Sequence, residues 1–283
     1  MTDLLLYDDA IARDFEPFAL TRPFGEMRAG AALVRERWER AMGAVATGAL
    51  AAEHLRDFEE PGAPPVTSEA RAGAIVANTR CIVPLGFTAP DADVWTCDGR
   101  IAAMRLAAAV RGDELRRGEN ALEQLRAAGT RTAAIPGRWI GAVWELVTTL
   151  LPQLRDDIDA LGPTLSCDTP DGAIVIGRER LFVEHGAIVE PQVVFDVTNG
   201  PVLVRAGANV RAFTRLVGPC AVLAHASVLG DRVHGCAIGE YSVIRGEISE
   251  TIVLGQSNKG HDGFVGHSYL GRWVNLGAGT ITS

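Results

Sequence analysis

The sequence is poor in cysteine, short of positive charge and without a long apolar run, and each shortage excludes a class of protein. Its five cysteines, Cys81, Cys97, Cys167, Cys220 and Cys236, are odd in number and scattered, and they form no Cys-x-x-Cys pair. This spacing argues against a zinc site or a disulfide framework, so no metal ligands are assigned and a reducing, cytoplasmic setting is expected. Lysine and arginine number 27 against 35 aspartates and glutamates, a net charge of -8. A general nucleic-acid binder needs a basic surface, so nucleic acid is not an expected partner, although a local basic pocket for a phosphorylated ligand is compatible with this balance. No apolar run is long enough to span a bilayer. The stretch from Met1 to Asp9 lacks the basic flank and apolar length of a signal peptide. A membrane is therefore not an expected partner either.

What is present is length for two domains, 283 residues with 47% apolar, and a repeat of six in the second half. Val204, Val210, Leu216, Val222 and Val228 stand six apart, and the step recurs from Ile238 to Ile244 and from Leu270 to Leu276. Four residues after most anchors comes a small or β-branched residue, such as Ala208, Thr214, Cys220, Ala226, Ser242, Val274 or Thr280. A six-residue unit can form one side of a triangular coil, with the branched anchor inward and the small residue near a corner; three units make a rung, and stacked rungs bury a continuous core. Sandwich strands alternate with period two and keep no six-residue phase, so a left-handed parallel β-helix is the expected fold of this half. The phase slips from Val265 to Leu270, and Arg232 stands where a small residue is expected.

Within the repeat, Ser257-Asn258-Lys259-Gly260-His261 and Asn275-Leu276-Gly277-Ala278-Gly279-Thr280 break the small-or-apolar grammar. An imidazole titrates near neutrality and can take a proton from a nucleophile. On these residues, Ser257 to Thr282 resembles the acetyltransferase half of the bifunctional N-acetylglucosamine-1-phosphate uridyltransferase/glucosamine-1-phosphate acetyltransferases. The whole chain resembles a shortened GlmU-like branch of that family, the N-terminal part through Leu20-Thr21-Arg22-Pro23 and Glu26-Met27-Arg28-Ala29-Gly30. The resemblance implies that His261 is a general base acting on the sugar amine, with acetyl-CoA as acyl donor. It implies that Asn275 contacts sugar or acetyl groups, that the Ala278 amide faces the thioester carbonyl, and that Arg215 binds the sugar phosphate. Two readings stand for Lys259 on its own chemistry, phosphate binding or plain solvation, and phosphate is taken first. The resemblance also implies a homotrimer, with sugar phosphates and nucleotides as small-molecule partners. Phe264 replaces a family tyrosine, and Ile248-Ser249-Glu250-Thr251 replaces a lysine pair. His225, His234 and His267 are left without a site. The chain stops within a repeat at Ile281-Thr282-Ser283, and a truncation is expected there.

The first half reads as an α/β domain. Leu4–Tyr7 is expected as a buried strand, followed by the acidic turn Asp8-Asp9. Ala31 to Met42 is expected as a helix with Arg35, Glu36 and Arg40 outward, and 74–78 as a strand ending at Asn78. Asp98-Gly99 is expected as a hairpin turn, the alternative being that Asp98 supplies a carboxylate to a metal site. Segments of strand or helix are expected at 101–110 and 118–128. A long amphipathic helix is expected from Trp139 to Leu161, kinked near Pro152, with Trp144 on its apolar side and lying between the domains. Strand, loop and helix in this order open nucleotide-binding α/β domains, and the resemblance makes this one a Rossmann-like nucleotidyltransferase domain. Two readings stand for its first loop: Thr21, Arg22 and Arg28 bind phosphate, or the arginines form surface ion pairs with Glu26 and its neighbours. No Gly-x-Gly precedes Thr21-Arg22, and Asn78 holds the place of a magnesium-binding aspartate, so Mg²⁺ is expected only if this domain is active. The boundaries are set at residues 1–165 and 166–283. The expected function is acyl transfer on the coil beside a degenerate nucleotidyltransferase domain. The alternatives are a pyrophosphorylase with the coil as a trimer stalk, or a non-catalytic scaffold.

Overall fold

The computed structural model describes residues 3–115, 121–168, 170–178 and 180–283. Contacts divide the chain into two compact units, one running to Met27 and resuming over Ala32–Val143, the other formed by Arg28–Ala31 and Trp144–Ser283. The helical region before residue 165 thus groups with the coil.

The first unit is built on a six-stranded sheet. Its strands are β1 (Leu4–Tyr7), β2 (Ala46–Leu50), β3 (Ile75–Asn78), β4 (Val94–Cys97), β5 (Arg100–Arg105) and β6 (Thr132–Ala134), in the order β6-β4-β5-β3-β1-β2. β1 runs parallel to both β2 and β3, a Rossmann-like core, while β5 is antiparallel to its neighbours. All four residues of β1 are buried, as an unbroken apolar run predicts for a strand covered on both faces. The β4–β5 hairpin turns at Asp98 and Gly99, with φ of 50° and 78°, the pair of positive values that a two-residue type I′ turn requires.

The helix expected from Ala31 is shorter: α1 spans Val34–Met42, because Ala32–Leu33 is extended and Glu36 reaches back to the Leu33 N–H. Arg35 is drawn inward by Glu26 at 2.7 Å rather than pointing outward. Residues 118–120 lie outside the described residues, and the segment beyond them begins as α2 (Ala121–Leu125).

The second unit opens with α3 (Glu145–Thr148) and α4 (Leu150–Leu161), parted at Thr149 with φ -105° and ψ 9°. One continuous helix from Trp139 would set the Pro152 ring against the Thr148 carbonyl. The break three residues earlier places Pro152 in the first turn of α4, where no N–H is needed. Leu150, Leu154 and Ile158 are buried, and α4 packs on the Cys220–Val222 strand. Trp144, expected on the apolar side, is 68% exposed.

From residue 174 to 282 the chain winds through about six turns of a three-sided parallel β-solenoid. A wide face begins at Ile174–Ile176, a second face at Leu181–Val183 and a narrow face at Ile188–Val189. Val204, Val210, Leu216, Val222, Val228, Ile238 and Ile244 all join one buried cluster, as the repeat predicts. The small residues Ala208, Thr214, Cys220, Ala226 and Ser242 are fully enclosed beside them.

The strict step of six fails between the narrow and wide faces. It is six residues from Val210 to Leu216, five from Val228 to Val233, four from Ile244 to Ile248, and six again from Lys259 to Val265. The five-residue step puts Asp231 at the corner, with φ 68°, and Arg232 outside, which explains the misfit at Arg232. The tightest corner depends on Gly246: its φ is 97°, and an added Cβ would sit 2.5 Å from the Gly263 carbonyl oxygen. Ile238→Ala is expected to destabilise the coil by ~2–5 kcal/mol in chemical denaturation, whereas Ile188→Ala, at a 57% exposed position, should change it by less than ~0.5 kcal/mol.

Candidate functional site

The corner step lengths build the site. The corner from Lys259 to Val265 has two more residues than the one beneath it, which runs from Ile244 to Ile248 in register. Gly260-His261-Asp262-Gly263 therefore overhangs the turn below. His261 and Asp262 are exposed on this overhang. The His261 imidazole has no hydrogen-bond partner among the described residues.

The next turn folds onto the same corner. Asn258 and Asn275 form a parallel bridge, and the Asn258 Nδ2 donates to the Asn275 Oδ1 at 3.0 Å. The Gly279 N–H donates to the Asp262 carbonyl at 3.0 Å. This bond stacks the Ala278–Gly279 turn on the His261–Asp262 bend, and the Ala278 N–H keeps no partner among the described residues. An exposed imidazole, a carboxamide and a backbone N–H without a partner among the described residues thus lie on adjacent turns. Such a set can take a proton from a nucleophile and stabilise an oxyanion.

Lys259 is turned away from the surface. It is 1% exposed, and its Nζ donates to the His261 carbonyl and, at 3.0 Å, to the Asp262 carbonyl. Burial holds this ammonium below the usual lysine range, against the opposing pull of the Asp262 charge.

Arg215 lies on the wide face three turns below the bend, roughly 14 Å away along the coil at one strand spacing per turn. Its guanidinium meets Asp196 at 2.5 Å, and that hydrogen bond holds the Asp196 carboxyl down at about 2. A shallow groove of about 460 Å³ joins Arg215 to the bend, lined by Phe213, Arg232, Glu247 and Asp262 among others. Arg245 bonds Asp262 at 3.1 Å on its edge. Phe264 folds flat over Gly266, whose added Cβ would lie 2.6 Å from its ring.

The remaining expected residues lie elsewhere. Arg28 belongs to the second unit and is buried among the Glu240 carboxylate at 2.5 Å and the Leu254 and Ala31 carbonyls. Arg22, in the first unit, is 6% exposed and bonds Glu60 at 2.9 Å. Both arginines are thus held internally, and the surface pair with Glu26 is absent because Glu26 serves Arg35. Thr21 is exposed, its hydroxyl donating to the Phe18 carbonyl.

At the carboxyl ends of β1 and β3, sequence reasoning missed a buried network. Asp9 receives Arg80 through Nε and Nη2, at 2.7 and 2.6 Å, and the Asn78 Nδ2 at 3.0 Å. Burial alone would raise Asp9, but these bonds and the Ala12 N–H outweigh it and hold the carboxyl below its ordinary value. Asp8 lies beside it, accepting from the Thr79 hydroxyl at 2.6 Å and the Phe24 N–H at 2.9 Å. Here burial wins and pushes the carboxyl from 3.8 up to about 6. The signal was in the sequence, since two adjacent aspartates after a buried strand need partners once enclosed.

Among known proteins, residues 4–163 match a family model described as sugar nucleotidyl transferase. The chain is 32% identical over 156 residues to the bifunctional protein GlmU of Bordetella parapertussis, covering 49% of this chain and 30% of that protein. It is 24% identical over 205 residues to GlmU of Rippkaea orientalis, covering 50% and 45%. It is 30% identical over 137 residues to GlmU of Desulfitobacterium hafniense strain DCB-2, covering 40% and 30%. The matched stretch spans less than half the length of each relative.

Asp8 generates a pH dependence with a definite sign. Its folded pKa lies above the unfolded one, so the folded state keeps the proton longer. The stability it contributes is complete below about pH 4 and is lost as pH rises through about 6, a change of about 3 kcal/mol. Asp9 acts in the opposite sense, and only below pH 3.8. Asp8→Asn is expected to flatten the fall in first-unit stability between pH 4 and 6 in urea titrations. An unchanged slope would contradict this assignment.

Proposed function

Because the chain belongs to the sugar nucleotidyl transferase family, we propose that it is a transferase of sugar-nucleotide metabolism whose working chemistry is acyl transfer on the coil, from acetyl-CoA to the amine of an amino-sugar phosphate. The single observation that carries this reading is the overhanging His261 bend, with the Ala278–Gly279 turn bonded onto it through the Asp262 carbonyl.

In this reading the amine enters from the groove, while Arg215, roughly 14 Å down the coil and bonded to Asp196 on the turn below it, lies beyond the reach of the same acceptor's phosphate. His261 takes a proton from the amine as nitrogen bonds the thioester carbon. The developing oxyanion lies toward the Ala278 N–H. The C–S bond then breaks, and the proton held by His261 passes to the departing thiolate. Asn275 orients the acceptor beside Asn258.

Nucleotidyl transfer by the first unit has less support. A hard cation needs free carboxylate oxygens, and neither Asp9 nor Asn78 offers one. Both oxygens of Asp9 are bonded to Arg80, and Asn78 holds Asp9 with its Nδ2 and the Arg80 N–H with its Oδ1. These residues do not fit Mg²⁺, and the unit is read as a degenerate nucleotidyltransferase.

Release of CoA thiol from acetyl-CoA, in the presence of a panel of amino-sugar phosphates, tests the proposal. His261→Ala is expected to lower kcat by about 10²–10⁴-fold, the usual contribution of a general base. Transfer at the unaltered rate in this variant would remove His261 as the base.

A further inference from the structure

The inward column of the narrow face is Val210, Val228 and Ile244, each stacked on the one before, and Lys259 takes the next place. Three turns show what this position needs for packing, and it is a branched apolar side chain. An ammonium there is worse for the coil, since it leaves water and gains no carboxylate: Lys259 forms no ion pair among the described residues. Stability therefore does not explain it.

Its contacts do. The Nζ reaches the His261 and Asp262 carbonyls inside the longer corner. An added Cβ on Gly263 would lie 3.1 Å from the same Nζ, so the end of the corner closes over the ammonium. With both carbonyls drawn inward, the His261 side chain is left to project outward. The Asp262 carbonyl is shared, because it also accepts the Gly279 N–H at 3.0 Å. One buried cation thus ties the bend bearing His261 to the turn bearing Ala278.

We infer that Lys259 is a positioning residue that fixes the His261 bend and the Ala278–Gly279 turn in one geometry, an inference that rests on the acyl-transfer reading for its consequence in catalysis. It touches neither donor nor acceptor. Its effect is on placement, and misplacement of a catalytic group by about 1 Å costs on the order of a hundredfold in rate.

Lys259→Met and Lys259→Leu in the full chain test this, with amide hydrogen exchange, melting temperature and transfer kinetics measured together. The expected result is a melting temperature equal to or above that of the unaltered chain. Exchange should quicken about tenfold or more at Glu247 and Gly279, whose N–H groups donate to the Gly263 and Asp262 carbonyls of the bend, while Val228–Ile238 stays unchanged. The kcat should fall roughly tenfold to a hundredfold with little change in KM. Unchanged exchange at the bend overturns the inference. So does faster exchange spread evenly along the coil, which would make Lys259 a plain packing residue. If the unaltered chain transfers no acyl group, the acyl-transfer reading falls and the catalytic role of Lys259 falls with it, while the exchange comparison still decides whether the bend is tied down.

Discussion

Stacking in register is the constraint on which the second unit depends. Each inward residue of a turn must sit over the inward residue of the turn below, and a parallel coil has no other way to bury its core. The chain between inward positions is free to vary, and the corners are where it does. Shortening the corner at Gly246 and lengthening the next one at Gly260–Gly263 leaves Lys259 over Ile244 and Val265 over Ile248. The core is undisturbed, and two residues are pushed out. A scaffold that tolerates nothing inside can present a histidine outside, provided something holds the longer corner. The ammonium of Lys259 does this.

The first unit shows the complementary case, a fold kept while its strand ends are rebuilt. The parallel trio β2-β1-β3 is that of a nucleotide-binding domain, with ligands expected beyond the carboxyl ends of the strands. At those ends the side chains bind each other. Arg80 lies under Trp139, 5.5 Å from its ring, and donates to the Ile140 carbonyl as well as to Asp9. Losing either member of the Asp9–Arg80 pair would strand a buried charge. The network therefore holds the strand ends together, and the same bonds leave Asp9 no free oxygen for a metal.

Much of this was legible in the sequence. The apolar run of β1, the Asp98-Gly99 turn and the six-residue repeat each follow from local rules, because one periodicity or one pair of residues determines the outcome. The helix break was half legible: Pro152 was its cause, but the break falls at Thr149, since proline is tolerated within a first turn and not deeper. The direction of long polar side chains was not legible. Lys259, Arg22, Arg28 and Arg35 read as surface cations, and all four are enclosed: carboxylates or carbonyls distant in sequence receive Arg22 and Arg28, Glu26 receives Arg35, and the carbonyls of its own corner receive Lys259. The motif around His261 was visible as residues, whereas its overhang depended on comparing corner lengths between turns.

The central claim is that the coil, rather than the strand ends of the first unit, carries the chemistry. The most direct measurement offers the chain both reactions in parallel. One arm holds acetyl-CoA with amino-sugar phosphates and follows free CoA thiol. The other holds nucleoside triphosphates, Mg²⁺ and sugar 1-phosphates and follows pyrophosphate. The account predicts thiol release in the first arm and no pyrophosphate in the second. Pyrophosphate release without thiol release would contradict it.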